Sequence, residues 1–469
     1  MQRSRTSLLL LVLLSLGNGT FAQLPRLWGM TTSGGANNKG TLFHVDADGT
    51  DFSVAYHFSD SSGYAPEGTL CLANNGKLYG TTNLGGSGLP GAGTLFSFDM
   101  ATSTFNKLVD FNISNGGYGW GGMVAHPDGK LYGATYGGGG SGGSIFRVDP
   151  ATDTYSILYA LNQSTDGGSI TNRLAIGNDG LLYGCAAYGG TNGGGTLFRF
   201  DPSNSAFTKL HDLDGALNGN TPYGSLCDAG NGWFYGATYE GGTDDEGVLF
   251  KYAPGTNTFV KLLDFTGPNG QSPWNGPIFW AADQLIGTTA LGGSNGSGVI
   301  YGVDPATDTF SELYSFNVLD GGLLFGNVMA VGGALYGNGG TGGTNFEGTV
   351  YRYDPMADLL TTLHSFSGAT DGSTPRGDLV AAGTATGVNE LQAIPAFALS
   401  PNPTNGHFTI TLTNDRAATL RVLNSVGQVV HQARLLQQAT TLDLGLAPGL
   451  YLLETEVDGV RVARRLVVE

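Results

Sequence analysis

The chain has 469 residues, of which 79 are glycine and 40% are hydrophobic, and its formal net charge is −17. The glycines follow no every-third-residue period and lie among regular apolar runs, which excludes a collagen-like chain and a disordered one. The negative charge argues against nucleic acid or an anionic membrane surface as a partner, because both repel an acidic protein. Many glycines between short apolar runs indicate short strands joined by tight turns.

The first 22 residues have the pattern of a secretory signal peptide. Arg3 and Arg5 precede the apolar run 8–16, and residues 20–22 form a small-x-small cleavage site before Gln23. The apolar run is too short to span a bilayer comfortably, and no later run of about 18 apolar residues follows. We therefore predict an exported protein with a signal peptide over 1–22 and no transmembrane anchor.

One short element returns along the chain, as in "LYGTT" from Leu78, "LYGAT" from Leu131 and "FYGAT" from Phe234. Its glycine falls at Gly29, Gly80, Gly133, Gly184, Gly236, Gly287 and Gly337, at steps of 50 to 53 residues. Each unit divides into four strands: an apolar strand such as "GTLCLA" from Gly68, the L-Y-G strand, a G-T-L-F strand and an F-x-x-L-x-x-F strand. A period near 50 with four strands per unit is typical of a propeller blade.

The two ends of the repeat region predict how the ring closes. The first L-Y-G element, from Leu27, has no first strand ahead of it, while the last repeat is followed by a surplus first strand from Arg376. Pairing the spare strand with the first unit removes an exposed sheet edge. We predict an all-β chain with a seven-bladed β-propeller over 23–382, closed by its C-terminal strand at 376–382.

These units resemble the glycine-rich tandem repeats of secreted bacterial proteins known as GloVer repeats, after Gloeobacter and Verrucomicrobia. The resemblance covers residues 27–382 and rests on the pattern LYGTT…GG…GTLF…D…F…L…F. It implies a repeat protein that is secreted, and little about activity, because that family is defined by sequence rather than by a reaction.

Beyond the repeats, a small and polar linker at 383–394 leads into a tail at 395–469 that alternates apolar and polar residues at strand period. Six or seven short strands in this length predict a small β-sandwich. The pieces "SPNPTNG" at 400–406, "VLNSVGQVV" at 422–430 and "LAPGLYLLE" at 446–454 resemble the type A C-terminal sorting domain of the type IX secretion system in Bacteroidetes. The resemblance implies passage through the periplasm, a partner in the secretion machinery, and release or attachment at the outer cell surface. The alternative is a carbohydrate-binding or adhesive sandwich.

No catalytic or metal-binding constellation stands out in the sequence. No G-x-S-x-G with a partnered histidine and no H-E-x-x-H are present, and His211 and His364 share one repeat position of the fourth strand, which favours a structural role. The acidic stretches 46–51 and 243–247 could offer oxygen ligands to calcium, but the first is shorter than a full calcium loop and lies where other repeats have a plain turn. We therefore expect no catalytic residue, no metal site and no cofactor.

One repeat position varies while its surroundings stay nearly constant. It lies just before each first strand and holds, in order, Glu67, Trp120, Thr171, Tyr223, the pair Trp274-Asn275, Phe325 and Arg376. If the first strands line the central channel, these side chains ring one mouth of it, and aromatic faces with a few polar groups suit sugars or peptides. We predict a ligand site at Glu67, Trp120, Tyr223, Trp274, Phe325 and Arg376. The alternative is that the rings only pack between blades.

Two classes of function follow from this pattern. The sequence favours an exported, monomeric and non-enzymatic module that binds a glycan or a protein at the cell surface. The alternative is a secreted polysaccharide lyase or hydrolase that acts at the same channel mouth, since a fold by itself dictates no function.

Overall fold

The structure is a computed structural model that describes residues 25–88, 91–215, 217–280 and 284–382 and, in the tail, 397–400, 407–412, 418–423, 429–435, 437, 439–447, 449–457 and 460–468. The predicted signal peptide at 1–22 and the predicted linker at 383–394 lie outside the described residues. Every regular element described is a β-strand. Within these ranges no helix is long and apolar enough to cross a membrane.

The first three blades are four-stranded antiparallel sheets, whose strands follow one another from the channel outwards in the order stated. Blade 1 holds β28 (Ser373–Ala381), β1 (Arg26–Ser33), β2 (Thr41–Asp46) and β3 (Ser53–His57). Blade 2 holds β4 (Cys71–Leu72), β5 (Lys77–Thr81), β6 (Thr94–Asp99) and β7 (Thr104–Asp110). Blade 3 holds β8 (Val124–Ala125), β9 (Leu131–Thr135), β10 (Ser144–Asp149) and β11 (Thr154–Ala160).

Four further blades of the same order complete a seven-bladed propeller. Blade 4 holds β12 (Ala175–Ile176), β13 (Leu182–Ala186), β14 (Thr196–Asp201) and β15 (Ala206–Asp212). Blade 5 holds β16 (Cys227–Asp228), β17 (Phe234–Thr238), β18 (Val248–Ala253) and β19 (Thr258–Asp264). Blade 6 holds β20 (Ile278–Trp280), β21 (Gln284–Thr288), β22 (Val299–Asp304) and β23 (Thr309–Ser315). Blade 7 holds β24 (Met329–Val331), β25 (Ala334–Gly339), β26 (Thr349–Asp354) and β27 (Leu359–Ser365).

The tail forms two antiparallel sheets. One holds β29 (Phe397–Ser400), β30 (His407–Leu412) and β33 (Ala439–Asp443), and the other holds β32 (Val429–Leu435), β31 (Ala418–Leu423), β34 (Gly449–Val457) and β35 (Val460–Val468). Both sheets contribute to one core, in which Phe408 and Ile410 of the first pack with Leu420 and Leu453 of the second. This is the β-sandwich that the alternation of apolar and polar residues predicts.

Each blade is built around the glycine of its L-Y-G element. That glycine lies directly across from the aromatic residue of the third strand, in the pairs Gly29–Phe43, Gly80–Phe96, Gly133–Phe146, Gly184–Phe198, Gly236–Phe250, Gly287–Tyr301 and Gly337–Tyr351. A Cβ on any of these glycines would come within 2.6 Å of the opposite ring. The ring therefore occupies the space over the glycine, and any larger residue in place of the glycine would collide with it.

The tight turns follow the sequence signals. In the turns between first and second strands, Gly76, Gly129 and Gly180 have φ values of +77°, +83° and +76°. A Cβ at these three positions would meet nothing within 4 Å, so the positive φ alone accounts for the glycine.

The two copies of "DPATDT" connect neighbouring blades. The Tyr79 hydroxyl of blade 2 donates a hydrogen bond to Asp153 Oδ1 of blade 3 at 2.6 Å, and the Tyr235 hydroxyl of blade 5 donates one to Asp308 Oδ1 of blade 6 at 3.2 Å. Burial, and then the Asp153 carboxylate, raise the pKa of Tyr79, so this donor keeps its proton at neutral pH.

The ring closes as the sequence predicts. Strand β28 pairs antiparallel with β1, with Met30 opposite Arg376 and Leu27 opposite Ala381. Leu379 of β28 is buried in the core shared by blades 1 and 7. The closing strand runs from Ser373 and is three residues longer at its start than the predicted 376–382.

The other first strands are shorter than the sequence predicts. "GTLCLA" gives only β4, of two residues, and no first strand of blades 2 to 7 exceeds three. The residues before these strands bond to the adjacent blade instead: the Thr171 hydroxyl donates to the carbonyl of Tyr223 at 3.2 Å, and the Arg173 N–H donates to Ser225 Oγ at 3.2 Å. A main-chain group that forms a hydrogen bond to the next blade, as the Arg173 N–H does, cannot also pair with the second strand of its own blade.

Replacing Gly133 with alanine should destabilise the propeller by about 1–3 kcal/mol, the usual cost of forcing extra atoms into a packed core. The added Cβ would lie 2.5 Å from Phe146 Cζ. Gly255→Ala is the control, because a Cβ there meets nothing within 4 Å, and it should change stability by less than about 1 kcal/mol. Denaturant unfolding measures both variants. Equal effects of the two substitutions would contradict the packing account.

A chain that ends at Gly372 should lose cooperative unfolding, because blade 1 then lacks its inner strand and the edge of β1 is left unpaired. Loss of the buried Leu379 and of the β28–β1 ladder should cost at least about 4 kcal/mol. A chain that ends at Ala382 is the matched control, because it retains β28 and also lacks the tail. If both chains melt equally sharply at the same temperature, closure by β28 does not stabilise the ring.

Candidate functional site

One cavity lies on the axis of the propeller, because segments that enter all seven first strands line it. Six of the seven variable positions contribute: Glu67, Trp120, Thr171, the pair Trp274-Asn275, Phe325 and Arg376. The seventh, Tyr223, does not line the cavity, but its ring packs on Trp274 with the centroids 4.7 Å apart. We call this end of the channel, formed by Glu67, Trp120, Tyr223, Trp274, Phe325 and Arg376, the aromatic mouth.

Three of the four rings of the aromatic mouth, those of Tyr223, Trp274 and Phe325, form a connected arc. Trp274 contacts the Phe325 ring edge-on at a centroid distance of 5.1 Å, and the Arg376 guanidinium lies 4.0 Å over the Phe325 ring. Trp120 stands apart from this arc and packs on Tyr136 at 4.9 Å. All four aromatic residues of the mouth are half-buried. Each of these residues therefore packs on at least one neighbour and also retains exposed surface.

An ion pair between Arg376 and Glu67 extends the arc. Arg376 Nη1 lies 2.9 Å from Glu67 Oε2, and Asn83 Nδ2 donates to Glu67 Oε1 at 3.3 Å. Burial raises the pKa of Glu67, although Arg376 and Asn83 favour its charged form. The pair carries no net charge when both groups are ionised, so it gives the mouth polarity without an anionic field.

The same cavity is lined by two residues that the sequence reasoning missed, Arg173 of blade 4 and Asp378 of blade 1. Their blades are three apart in a ring of seven, and Arg173 Nη2 reaches across the channel to 4.0 Å from Asp378 Oδ2. The Asn327 N–H donates to Asp378 Oδ1 at 2.7 Å. Burial raises the pKa of Asp378, and the Arg173 charge only partly offsets this effect.

A signal for these residues exists in the sequence. They occupy the repeat position two residues after the variable one, which holds Thr69, Gly122, Arg173, Ser225, Pro277, Asn327 and Asp378 in chain order. The residue type at this position differs from blade to blade as widely as it does at the variable position just before each first strand. Because alternate residues of an extended chain share a face, the two positions together predict a two-layered lining.

A second group of residues that the sequence reasoning missed contacts the residues of the aromatic mouth. Asn83, Tyr136, Tyr188 and Tyr239 follow the L-Y-G glycine by three or four residues. Tyr239 meets Trp274 edge-on at 5.3 Å, and the hydroxyls of Tyr188 and Tyr223 are hydrogen-bonded at 2.5 Å. These contacts fix the orientation of the mouth rings. The same variability from repeat to repeat could have identified them.

The cavity itself has a volume of about 30 Å³, which is space for one or two water molecules. A sugar ring or a peptide chain cannot pass into it. A ligand must therefore lie across the aromatic mouth, with at most one small group inserted between Arg173 and the other lining residues.

The residues considered for calcium have other contacts. Arg26 Nε lies 3.0 Å from Asp46 Oδ1 and the same guanidinium also contacts Asp51. In the second stretch, Asp245 Oδ1 accepts a hydrogen bond from the Gly241 N–H at 2.8 Å. Within the described parts of the chain, no group of three or more His, Cys, Asp or Glu side chains could hold a metal ion.

The two histidines of the fourth strand pack on phenylalanines of the next blade. The His211 ring stacks on the Phe259 ring with the centroids 4.6 Å apart. The His364 ring stacks on the Phe52 ring with the centroids 3.5 Å apart. Both lie between blades rather than in the cavity, as a shared repeat position predicts.

The fold defines the chain as a seven-bladed β-propeller with a C-terminal β-sandwich. Three overlapping matches to the Gloeobacter/Verrucomicrobia repeat, over 17–175, 88–273 and 170–393, cover most of its length, and the chain belongs to this family. Residues 398–469 match the secretion system C-terminal sorting domain. The chain is thus cargo of the type IX secretion system, exported to the cell surface or secreted. No curated protein matches it.

Solved structures resemble the chain at low sequence identity. A Bacteroides uniformis protein that carries the name of a 6-phosphogluconolactonase is 16% identical, with a TM-score of 0.51 over 75% of this chain and 98% of its own. PorZ, described as a surface component of the type IX secretion system of Porphyromonas gingivalis, is 15% identical, with a TM-score of 0.42 over 91% of this chain and 63% of its own. TolB from Acinetobacter baumannii is also 15% identical, with a TM-score of 0.40 over 62% and 64% of the two chains. The chain spans less than two thirds of PorZ and TolB, and these likenesses concern the fold alone.

Asp378→Asn should stabilise the protein at neutral pH and have little effect at acid pH. A carboxyl group whose pKa is higher in the folded state costs stability once the pH rises above its unfolded value, and below that value both states hold the proton. The asparagine retains an acceptor for the Asn327 N–H. Melting temperatures of variant and parent should therefore diverge as the pH rises from about 4 to about 8. Destabilisation at neutral pH would instead mean that the pair with Arg173 holds blades 1 and 4 together.

Proposed function

We propose that the exported chain is a non-catalytic binding module that holds a carbohydrate across the aromatic mouth. The observation that carries the proposal is the convergence of four half-buried aromatic rings, from four different blades, around a cavity too small for the ligand to enter. Exposed aromatic faces stack on the apolar faces of sugar rings, and a few polar groups at their edge fix the orientation.

The distribution of residue types supports binding over packing alone. The repeat retains its packing contacts in nearly every blade, as the glycine–aromatic pairs do. The mouth position instead holds acidic, basic, aromatic and small polar residues on the same backbone. A symmetric scaffold acquires an asymmetric site by this kind of variation. The rings do pack on each other, but half-buried rings can also stack on a ligand.

Export suits this role. The sorting domain directs the chain to the cell surface or the medium, where glycans are abundant. A protein ligand that presents an extended, polar segment is the alternative occupant of the same mouth. The two are distinguished by whether isolated oligosaccharides bind.

A secreted lyase or hydrolase remains the second candidate, because two carboxyl groups with raised pKa values, Glu67 and Asp378, lie in one cavity. Such groups are typical of general acids. Each of them faces an arginine across a short distance, which suits structural or recognition roles as well. Release of new reducing ends or of unsaturated sugars from polysaccharides, abolished by Asp378→Asn, would establish the enzyme.

Trp274→Ala should weaken oligosaccharide binding by about 1–3 kcal/mol, or roughly 5- to 150-fold in Kd, as expected for a central aromatic anchor. Screening the full chain on a glycan array and then titrating the best oligosaccharide by calorimetry measures the effect. Phe346→Ala is the matched control, because Phe346 is 60% exposed and does not line the cavity. The proposal fails if no oligosaccharide binds, or if both variants bind as the parent does.

A further inference from the structure

Arg173 differs from the other arginine of the cavity. Arg376 forms a short ion pair with Glu67 at 2.9 Å, whereas the Arg173 guanidinium faces Asp378 at 4.0 Å, beyond hydrogen-bond distance. Its main-chain N–H bonds to Ser225 Oγ. Among the residues that the structure describes, its guanidinium forms no hydrogen bond to a neighbour.

The Arg173 side chain is also accessible. It is 38% exposed, whereas the Asp378 side chain is 18% exposed. Both residues line the cavity together with Trp120, Trp274 and Phe325 of the aromatic mouth. The planar fork of an arginine presents parallel N–H donors that match the two oxygens of a carboxylate.

The size of the cavity limits what the guanidinium can bind. Its volume of about 30 Å³ accommodates a group about as large as one or two water molecules. A planar carboxylate is of this size, while a sugar ring is several times larger. The sugar ring must stay at the aromatic mouth while its acid group points into the cavity.

We propose that the site selects sugars that carry a carboxylate, such as uronic acids, with Arg173 as the residue that recognises the acid group. This inference rests on the proposed function, since it assigns a ligand class to the aromatic mouth. The aromatic rings bind the sugar face in either a neutral or an acidic sugar, and Arg173 distinguishes between the two.

Asp378 competes with the ligand for Arg173. It faces the guanidinium at 4.0 Å, accepts a hydrogen bond from the Asn327 N–H, and its burial already disfavours its negative charge. A carboxylate bound beside it would favour the protonated form further, since two like charges repel. Removing the charge of Asp378 should therefore strengthen the binding of an acidic sugar and leave a neutral sugar unaffected.

The experiment compares matched pairs of oligosaccharides on the full chain by calorimetry. Each uronic-acid oligosaccharide of a small panel is paired with its carboxyl-reduced, neutral counterpart. The acidic member should bind about tenfold or more tightly, the usual effect of a hydrogen bond to a charged group. Arg173→Gln should abolish this preference, and Arg173→Lys should restore part of it. Arg199→Gln, in the same blade but outside the cavity, is the control.

Asp378→Asn provides the test of opposite sign, because the acidic sugar should bind several-fold more tightly to it. Circular dichroism melts verify that each variant is folded. Equal binding of both members of every pair, or an acid preference that survives in Arg173→Gln, overturns the inference while the proposed function stands. Preference for a sulfated sugar or an acidic peptide over the uronic acids also overturns it. If no oligosaccharide binds, or if Trp274→Ala binds the oligosaccharides as the parent does, the proposed function itself is wrong.

Discussion

The contact between the L-Y-G glycine and the aromatic residue of the third strand is the constraint on which the structure depends. It joins the second and third strands of every blade at the same register, and a methyl group on the glycine would displace the ring. Because this contact recurs seven times, the blades have equal shape and the ring can close. The tyrosine–aspartate bonds between blades and the β28–β1 pairing then fix neighbouring blades to each other.

A scaffold held in this way leaves other positions free to vary. Most of the variable positions line the channel, whereas the glycine–aromatic contacts lie between the second and third strands of each blade. The asymmetry of the site comes from this freedom. Arg173 and Asp378 show it best, because they form a contact across the channel that no repeated interaction requires.

Much of the fold could be predicted because its signals are local and repeated. Glycine spacing gave the blade length, and the spare strand at Arg376 gave the closure. The first strands were predicted too long, because sequence does not show that residues such as Thr171 bond sideways. The mouth position was found by its variability, but Arg173 and Asp378 were missed, since a cross-channel contact depends on blade number and side-chain reach. That Tyr223 packs behind Trp274 instead of lining the cavity depends on the same three-dimensional details.

The central claim is that the aromatic mouth holds a sugar while Arg173 holds its acid group. A crystal structure of the full chain with a uronic-acid oligosaccharide tests it most directly. The account predicts a sugar ring stacked on Trp274, with a carboxylate oxygen within about 3.2 Å of the Arg173 guanidinium, the upper limit of a good hydrogen bond. A ligand bound at another face of the propeller, or bound at the mouth with its carboxylate directed away from Arg173, would contradict it.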